Sequence, residues 1–78
     1  VFDQYVHDAI SPEHPRRTTD IRKIVREAVA QDGQYMSFFR VLENCDAIRQ
    51  ALFRLTKRDK IVSCGYDDSG VKLWKRTE

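Results

Sequence analysis

The polar side chains between positions 49 and 57 have the types and spacing to hydrogen-bond nucleobases and phosphates. At 100° per residue, Gln50, Arg54 and Lys57 fall on one side of a helix. Arg49 lies at the border of that side. An α-helix fits the major groove of DNA, where arginine pairs with guanine and glutamine with adenine. We therefore expect Arg49, Gln50 and Arg54 to contact base edges and Lys57 to contact a phosphate, with an ordinary solvated helix face as the alternative.

Two further sets of side chains are candidates for phosphate contacts. Ser37 and Arg40 belong to the N-terminal end of a predicted short helix, where oriented backbone N–H groups attract anions. The other set lies on a predicted C-terminal hairpin and comprises Lys72, Lys75 and Arg76. The same hairpin carries the acidic pair 67–68 at its tip, which phosphates would repel. Insertion of the tip into DNA is therefore not expected.

The N-terminal arm has apolar residues at the spacing of an amphipathic helix: Phe2, Tyr5, Val6, Ala9 and Ile10. Pro12 and Pro15 then predict a linker, so residues 1–17 form an arm and linker ahead of a domain over 18–78. The arm is open to two interpretations, an extra helix covering the core and a helix that forms a homodimer. Arg16 and Arg17 are predicted to lie in a solvated linker, with a basic arm touching DNA as the alternative.

Three helices are predicted between the arm and the hairpin. Capping side chains at 18–20 start a helix over 19–31, which Gly33 ends. Ser37 is the cap of a short helix over 38–44, and residues 34–36 are a candidate for one extended pairing. Asp46 is the cap of a third helix running from Ala47 to about Arg58.

Residues 61–76 alternate in the manner of a β-hairpin with a four-residue loop at 67–70. This loop places Tyr66 opposite Val71 and Cys64 opposite Leu73. The predicted apolar face then carries Val62, Cys64, Tyr66, Val71 and Leu73, and the other face carries Ser63, Gly65, Lys72, Trp74 and Arg76. Trp74 is nevertheless expected at the core or its edge.

The composition is that of one small globular domain. The chain has 78 residues, of which 41% are hydrophobic and 33% charged, with a net charge of +2. Neither a signal peptide nor an apolar run long enough to span a bilayer is recognisable, which favours an intracellular location in the cytoplasm, nucleoid or nucleus. Cys45 and Cys64 lack the spacing of metal ligands and are predicted to be small core residues. No metal or cofactor is expected.

The motifs that commonly mark enzymes are missing from the sequence. There is no Gly-rich phosphate loop, no H-E-x-x-H and no G-x-S-x-G, and both histidines, His7 and His14, belong to the arm. The prediction is a non-enzymatic protein.

The order helix, short strand, short helix, turn, longer helix, hairpin resembles the winged helix-turn-helix family over residues 18–76. Its most telling stretch is Ile48-Arg49-Gln50-Ala51-Leu52-Phe53-Arg54-Leu55-Thr56-Lys57-Arg58-Asp59-Lys60-Ile61-Val62. The resemblance implies an α+β winged-helix fold with a three-helix core, a recognition helix at 46–58 and a wing at 61–76. It further implies a small transcriptional regulator that binds double-stranded DNA. A dimer on a two-fold operator would follow if the N-terminal arm forms a homodimer.

A second interpretation is a winged-helix protein–protein interaction module with no direct DNA contact, since a fold does not fix a function. The near-neutral net charge, the acidic hairpin tip and Phe53 favour it. Phe53 lies away from the apolar side of its helix, and we expect it to pack sideways against the preceding helix or the hairpin. A thymine methyl or a protein partner is its alternative contact.

Overall fold

The computed structural model describes residues 2–77 and has an α+β fold, with four helices and a three-stranded antiparallel sheet in that part of the chain. The helices are α1 (Phe2–Asp8), α2 (Thr18–Gln31), α3 (Phe39–Glu43) and α4 (Cys45–Lys57). The strands are β1 (Arg16–Arg17), β2 (Ile61–Tyr66) and β3 (Lys72–Arg76), and their order in the sheet is β1-β3-β2.

The arm is helical, as predicted, and its apolar side is part of the core of the same chain. Phe2, Val6, Ala9 and Ile10 are buried together with residues of α2 and α4, and α1 packs against both of those helices. The structure therefore agrees with the first interpretation of the arm, an extra helix that covers the core.

Helix α2 begins at Thr18, but the predicted side-chain cap is wrong. The N-cap residue is Arg17, and no side chain caps this end. The Thr18 hydroxyl instead donates a hydrogen bond to the carbonyl of Lys72 and accepts one from the indole N–H of Trp74, each at 2.9 Å. These bonds join α2 to β3. At its other end, α2 gives way to Gly33, whose φ of 71° permits the predicted stop.

The linker prediction for Arg16 and Arg17 is wrong, because the two residues form β1. Arg16 pairs with Trp74 and Arg17 with Leu73, in antiparallel register. Residues 34–36, the candidate for an extended pairing, form no strand, and residues 35–36 lie in a turn. The third strand of the sheet, β1, thus precedes α2 in the chain and pairs with the edge of β3 that β2 leaves open.

The predicted caps of the next two helices are also wrong. Helix α3 has Phe38 at its N-cap without a side-chain hydrogen bond, and Ser37 is exposed in the preceding turn. Helix α4 is capped by Asn44, whose side-chain oxygen accepts a 2.9 Å hydrogen bond from the backbone N–H of Asp46. Asn44 therefore satisfies one of the donors left open at the helix start.

The predicted hairpin register holds far from the loop and fails near it. Ser63 pairs with Trp74 as the prediction requires, but Tyr66 pairs with Lys72 rather than with Val71. Gly65, with φ of 88°, lies in the resulting bulge, which puts one extra residue into β2. Because side chains alternate along a strand, the extra residue moves Tyr66 to the face that carries Lys72 and Trp74.

The predicted apolar face of the hairpin is not the face that enters the core. Trp74 is only 7% exposed and Ile61 is buried, whereas Val62 on the opposite face is exposed. Cys64 is also exposed, so its predicted core position is wrong. The side chain of Cys45 lies outside the described residues. The hairpin face that carries the large indole of Trp74 and the side chain of Ile61 packs into the core. Val62 and Cys64 lie on the opposite face.

Candidate nucleic-acid interface

Helix α4 separates a buried apolar side from an exposed polar side. Ile48, Ala51, Leu52 and Leu55 are at most 4% exposed and belong to the core, which confirms the predicted apolar side. The side chains opposite them, among them Arg49, Gln50 and Phe53, are exposed. The period of 3.6 residues thus fixes which residues α4 can present to a ligand.

Arg49 and Gln50 are exposed on the first half of α4. Arg49 Nη1 lies 3.8 Å from Asp46 Oδ1, one helical turn earlier. An exposed pair of this kind stabilises a fold by only about 0.2–1 kcal/mol. The Arg49 guanidinium is therefore able to exchange Asp46 for a stronger acceptor, such as a base edge or a phosphate.

Phe53 does not pack sideways as expected; its side chain is 59% exposed. The Lys57 ammonium lies over its ring, 4.7 Å from the ring centroid. Such a cation–π contact at an exposed site contributes about 0.5–1 kcal/mol. The contact holds the charge of Lys57 beside an aromatic surface on the outer side of α4.

Arg54, a predicted base-contacting residue, is instead bound to another residue of the chain. Its Nε and Nη2 donate hydrogen bonds of 2.9 and 2.7 Å to the two carboxylate oxygens of Asp3 on α1. These bonds lower the pKa of Asp3, against the opposing effect of burial, and raise the pKa of Arg54. Contact between Arg54 and a base would require this bidentate pair to open.

A groove of about 600 Å³ runs between α4 and the hairpin. Arg49 and Phe53 lie on its α4 wall, and Tyr66 and Lys72 lie on its hairpin wall. The Lys72 ammonium is 4.8 Å from the centroid of the Trp74 ring, which also lines the groove. The groove therefore brings together predicted contact residues from the helix and from the hairpin.

The three predicted cations of β3 do not share one face. Lys72, Trp74 and Arg76 alternate with Lys75, which pairs with Val62 on the other face. The Arg76 backbone N–H donates a 3.0 Å hydrogen bond to the carbonyl of Ser11, and its Nε is buried without a partner among residues 2–77. Of the three, only Lys72 lines the groove.

Ser37 and Arg40 lie apart from this groove. Ser37 is exposed in a turn, and Arg40 is exposed on the five-residue helix α3. Neither residue lines the groove between α4 and the hairpin. The structure thus brings Arg49 and Lys72 together and leaves these two predicted phosphate contacts separate.

The acidic hairpin tip has a structural role. Asp67 Oδ1 accepts hydrogen bonds of 2.9 and 2.8 Å from the backbone N–H groups of Ser69 and Val71. Its other carboxylate oxygen lies 3.9 Å from Arg17. Asp67 therefore closes the loop, and Asp68 is the exposed acid of the pair.

Sequence reasoning missed the contribution of α2 to the polar surface. Thr18 lines the groove next to Trp74. Thr19, Arg22, Lys23 and Arg26 form a separate strip along one side of α2, in which Arg26 is bound to Glu43 of α3 at 2.6 Å. The spacing of these four residues, one to two turns apart on one side of a helix, was a readable signal.

Comparison with protein-family models, curated proteins and solved structures found no match. Among residues 2–77, no helix is both long and apolar enough to cross a membrane. The same part of the chain has no group of three or more His, Cys, Asp or Glu side chains placed to hold a metal ion.

Proposed function

We propose that this protein binds double-stranded DNA, with α4 in the major groove and the hairpin beside the phosphate backbone. The observation that carries the proposal is the groove whose two walls present Arg49 from α4 and Lys72 from β3. Gln50 and Lys57 extend the same exposed side of α4. Arginine and glutamine suit base edges, and lysine suits phosphates.

The winged helix-turn-helix architecture is part of the proposal. The order of that family is obtained when α1 is taken as its first helix and β1 as its short strand. Helices α2 and α4 are then the paired helices, α3 lies in the connection between them, and β2 and β3 form the wing. This assignment differs from the one made on sequence, which placed the short strand after α2.

A small intracellular transcriptional regulator is the role that this mode of binding favours. Its homodimerisation through the arm receives no support from the packing, because Phe2, Val6 and Ile10 are buried within the chain. A dimer on a two-fold operator would need another surface.

The first test is a fluorescence-anisotropy titration against random-sequence duplex DNA at two salt concentrations. Phosphate contacts release counterions, so we expect the affinity to fall steeply with salt. Replacing Lys72 with alanine should reduce the slope of log affinity against log salt by about one. A protein that fails to bind at low salt would refute the proposal.

The second test uses a preferred duplex selected from a random library. Arg49→Ala and Gln50→Ala should each weaken binding about tenfold, as expected for loss of a paired hydrogen bond to a base. Lys60→Ala is the matched control, since it removes an exposed cation outside the groove. Equal losses in all three variants would mean that α4 does not read the bases.

A protein-interaction module is the second candidate, favoured by the exposure of large apolar side chains. Phe53 is 59% and Tyr66 is 66% exposed, and both line the groove. Aromatic side chains are common anchors of protein interfaces. If this candidate is correct, the protein does not bind duplex DNA at low salt. A partner protein should then bind to the wild-type protein and fail to bind to the Phe53→Ser variant.

A further inference from the structure

The groove between α4 and the hairpin has the volume and lining of a site for a small ligand. Its volume of about 600 Å³ lies within the range of about 300–1,000 Å³ typical of small-molecule sites. Leu52 and Trp74 form an apolar base, since both are buried and both line the groove. The hydroxyl side chains of Thr56 and Ser63 also line it and provide hydrogen-bonding groups.

Exposed aromatic rings stand on both walls. Phe53 lies on α4 and Tyr66 on β2, and neither ring is covered by the fold. Tyr66 reaches this face because the bulge at Gly65 shifts the register by one residue. The backbone irregularity therefore puts an aromatic side chain into the groove instead of on the opposite face of the hairpin.

The charge of the groove selects an anionic occupant. Arg49 and Lys72 line opposite walls, and no carboxylate is among the described residues that line it. The Lys57 ammonium lies over the Phe53 ring and the Lys72 ammonium over the Trp74 ring. Cations are thus placed beside the aromatic surfaces on both sides, as in sites that stack a base and hold its phosphate.

We propose that this groove binds an unpaired nucleotide, whose base stacks on Phe53 or Tyr66 while Lys72 holds its phosphate and Arg49 hydrogen-bonds to an edge of the base. This inference rests on the proposed DNA-binding function and adds a preference for DNA that contains an unstacked base. In a fully paired duplex, neighbouring bases cover each base face, so aromatic side chains reach a face only when the nucleotide is unpaired or extruded. An apolar peptide would offer the rings no negative charge.

The test compares two DNA probes, a fully paired duplex and the same duplex with one bulged thymidine, by fluorescence anisotropy. We expect the bulged duplex to bind about tenfold more tightly, which is the size of one base–aromatic stack. Trp74, the single tryptophan of the chain, lines the groove and provides a second readout through its emission. Phe53→Ala and Tyr66→Ala should each reduce the ratio of the two affinities towards one.

Phe39→Ala is the matched control, because Phe39 is an exposed phenylalanine on α3 that does not line the groove. It should keep the wild-type ratio, and melting temperatures check that every variant folds. Equal wild-type affinities for the two probes, or a ratio lost equally in Phe39→Ala, would overturn the inference while leaving the proposed function intact. Failure to bind either probe at low salt would overturn both.

Discussion

Replacing Asp3 with asparagine tests the bond that ties α1 to α4. The Asp3 carboxylate accepts two hydrogen bonds from Arg54, and its side chain is only 15% exposed. Asparagine has nearly the same size but no charge and one oxygen, so the variant loses the ionic part of the pair and one acceptor. We expect Asp3→Asn to fold with lower stability.

The expected loss is about 1 kcal/mol. Exposed ion pairs contribute about 0.2–1 kcal/mol, and bidentate geometry with one partner largely buried favours the upper end. For a domain of about 60–100 residues, a loss of 1 kcal/mol lowers the melting temperature by about 4–8 °C. The half-exposed guanidinium of Arg54 keeps the effect below that of a fully buried pair.

The stabilisation should also depend on pH, with a sign fixed by the pKa of Asp3. Because Arg54 holds this pKa below its ordinary value of 3.8, the folded state favours the ionised carboxylate. The advantage of wild type over Asp3→Asn is therefore complete above about pH 5. It shrinks as the pH falls through 3.8 and towards the lower pKa of the folded state.

Thermal unfolding followed by circular dichroism measures the effect, with Asp68→Asn as the matched control. Asp68 is exposed in the hairpin loop, so its replacement makes the same change in charge without removing the bond to α4. A double-mutant cycle with Arg54→Gln isolates the coupling between Asp3 and Arg54. Equal melting temperatures for Asp3→Asn and Asp68→Asn, or a coupling energy of zero, would refute the reasoning.

Three further substitutions test the core and the sheet by urea unfolding. Thr18→Val should cost about 1–3 kcal/mol, because it leaves the indole N–H of Trp74 without its acceptor; the exposed neighbour Thr19→Val is the control, and an equal cost there would contradict the assignment. Ile10→Ala should cost about 2–5 kcal/mol as a fully buried deletion, and a cost near zero would mean that the arm is not part of the cooperative core. Gly65→Ala should cost about 1–2 kcal/mol from its positive φ alone, since an added Cβ meets no atom within 4 Å. Gly65→Asn should cost less, because asparagine tolerates this conformation better, and the opposite order would argue against the bulge geometry.

Helical periodicity alone was enough to predict much of the fold. The spacing of Ile48, Ala51, Leu52 and Leu55 predicted the buried side of α4, and the arm showed the same period. Such a pattern is readable because it depends only on the geometry of one element. The exposed positions of Arg49 and Gln50 followed from the same geometry, so this half of the candidate site was also predictable.

Contacts between distant segments were not readable in this way. Thr18 had the chemistry of a helix cap, yet its hydroxyl bonds to Lys72 and Trp74, more than fifty positions later. Arg54 had the position of a base-contacting residue, yet Asp3 engages it across the interface between α1 and α4. A side chain with two possible partners bonds to the one that packing brings near. The spacing of residues along the sequence does not give the distance between side chains that are far apart in the chain.

The sequence by itself determined the helices, the presence of the hairpin and the polar side of α4, because each depends on local periodicity or local turn chemistry. Only the tertiary structure decided which hairpin face enters the core and what lies beside α4. Burial of Trp74 selected one face, pairing along β3 made a strand of Arg16 and Arg17, and the bulge at Gly65 turned Tyr66 into the groove. These outcomes depend on which segments compete for one sheet edge and one core, a competition settled only when the whole chain packs.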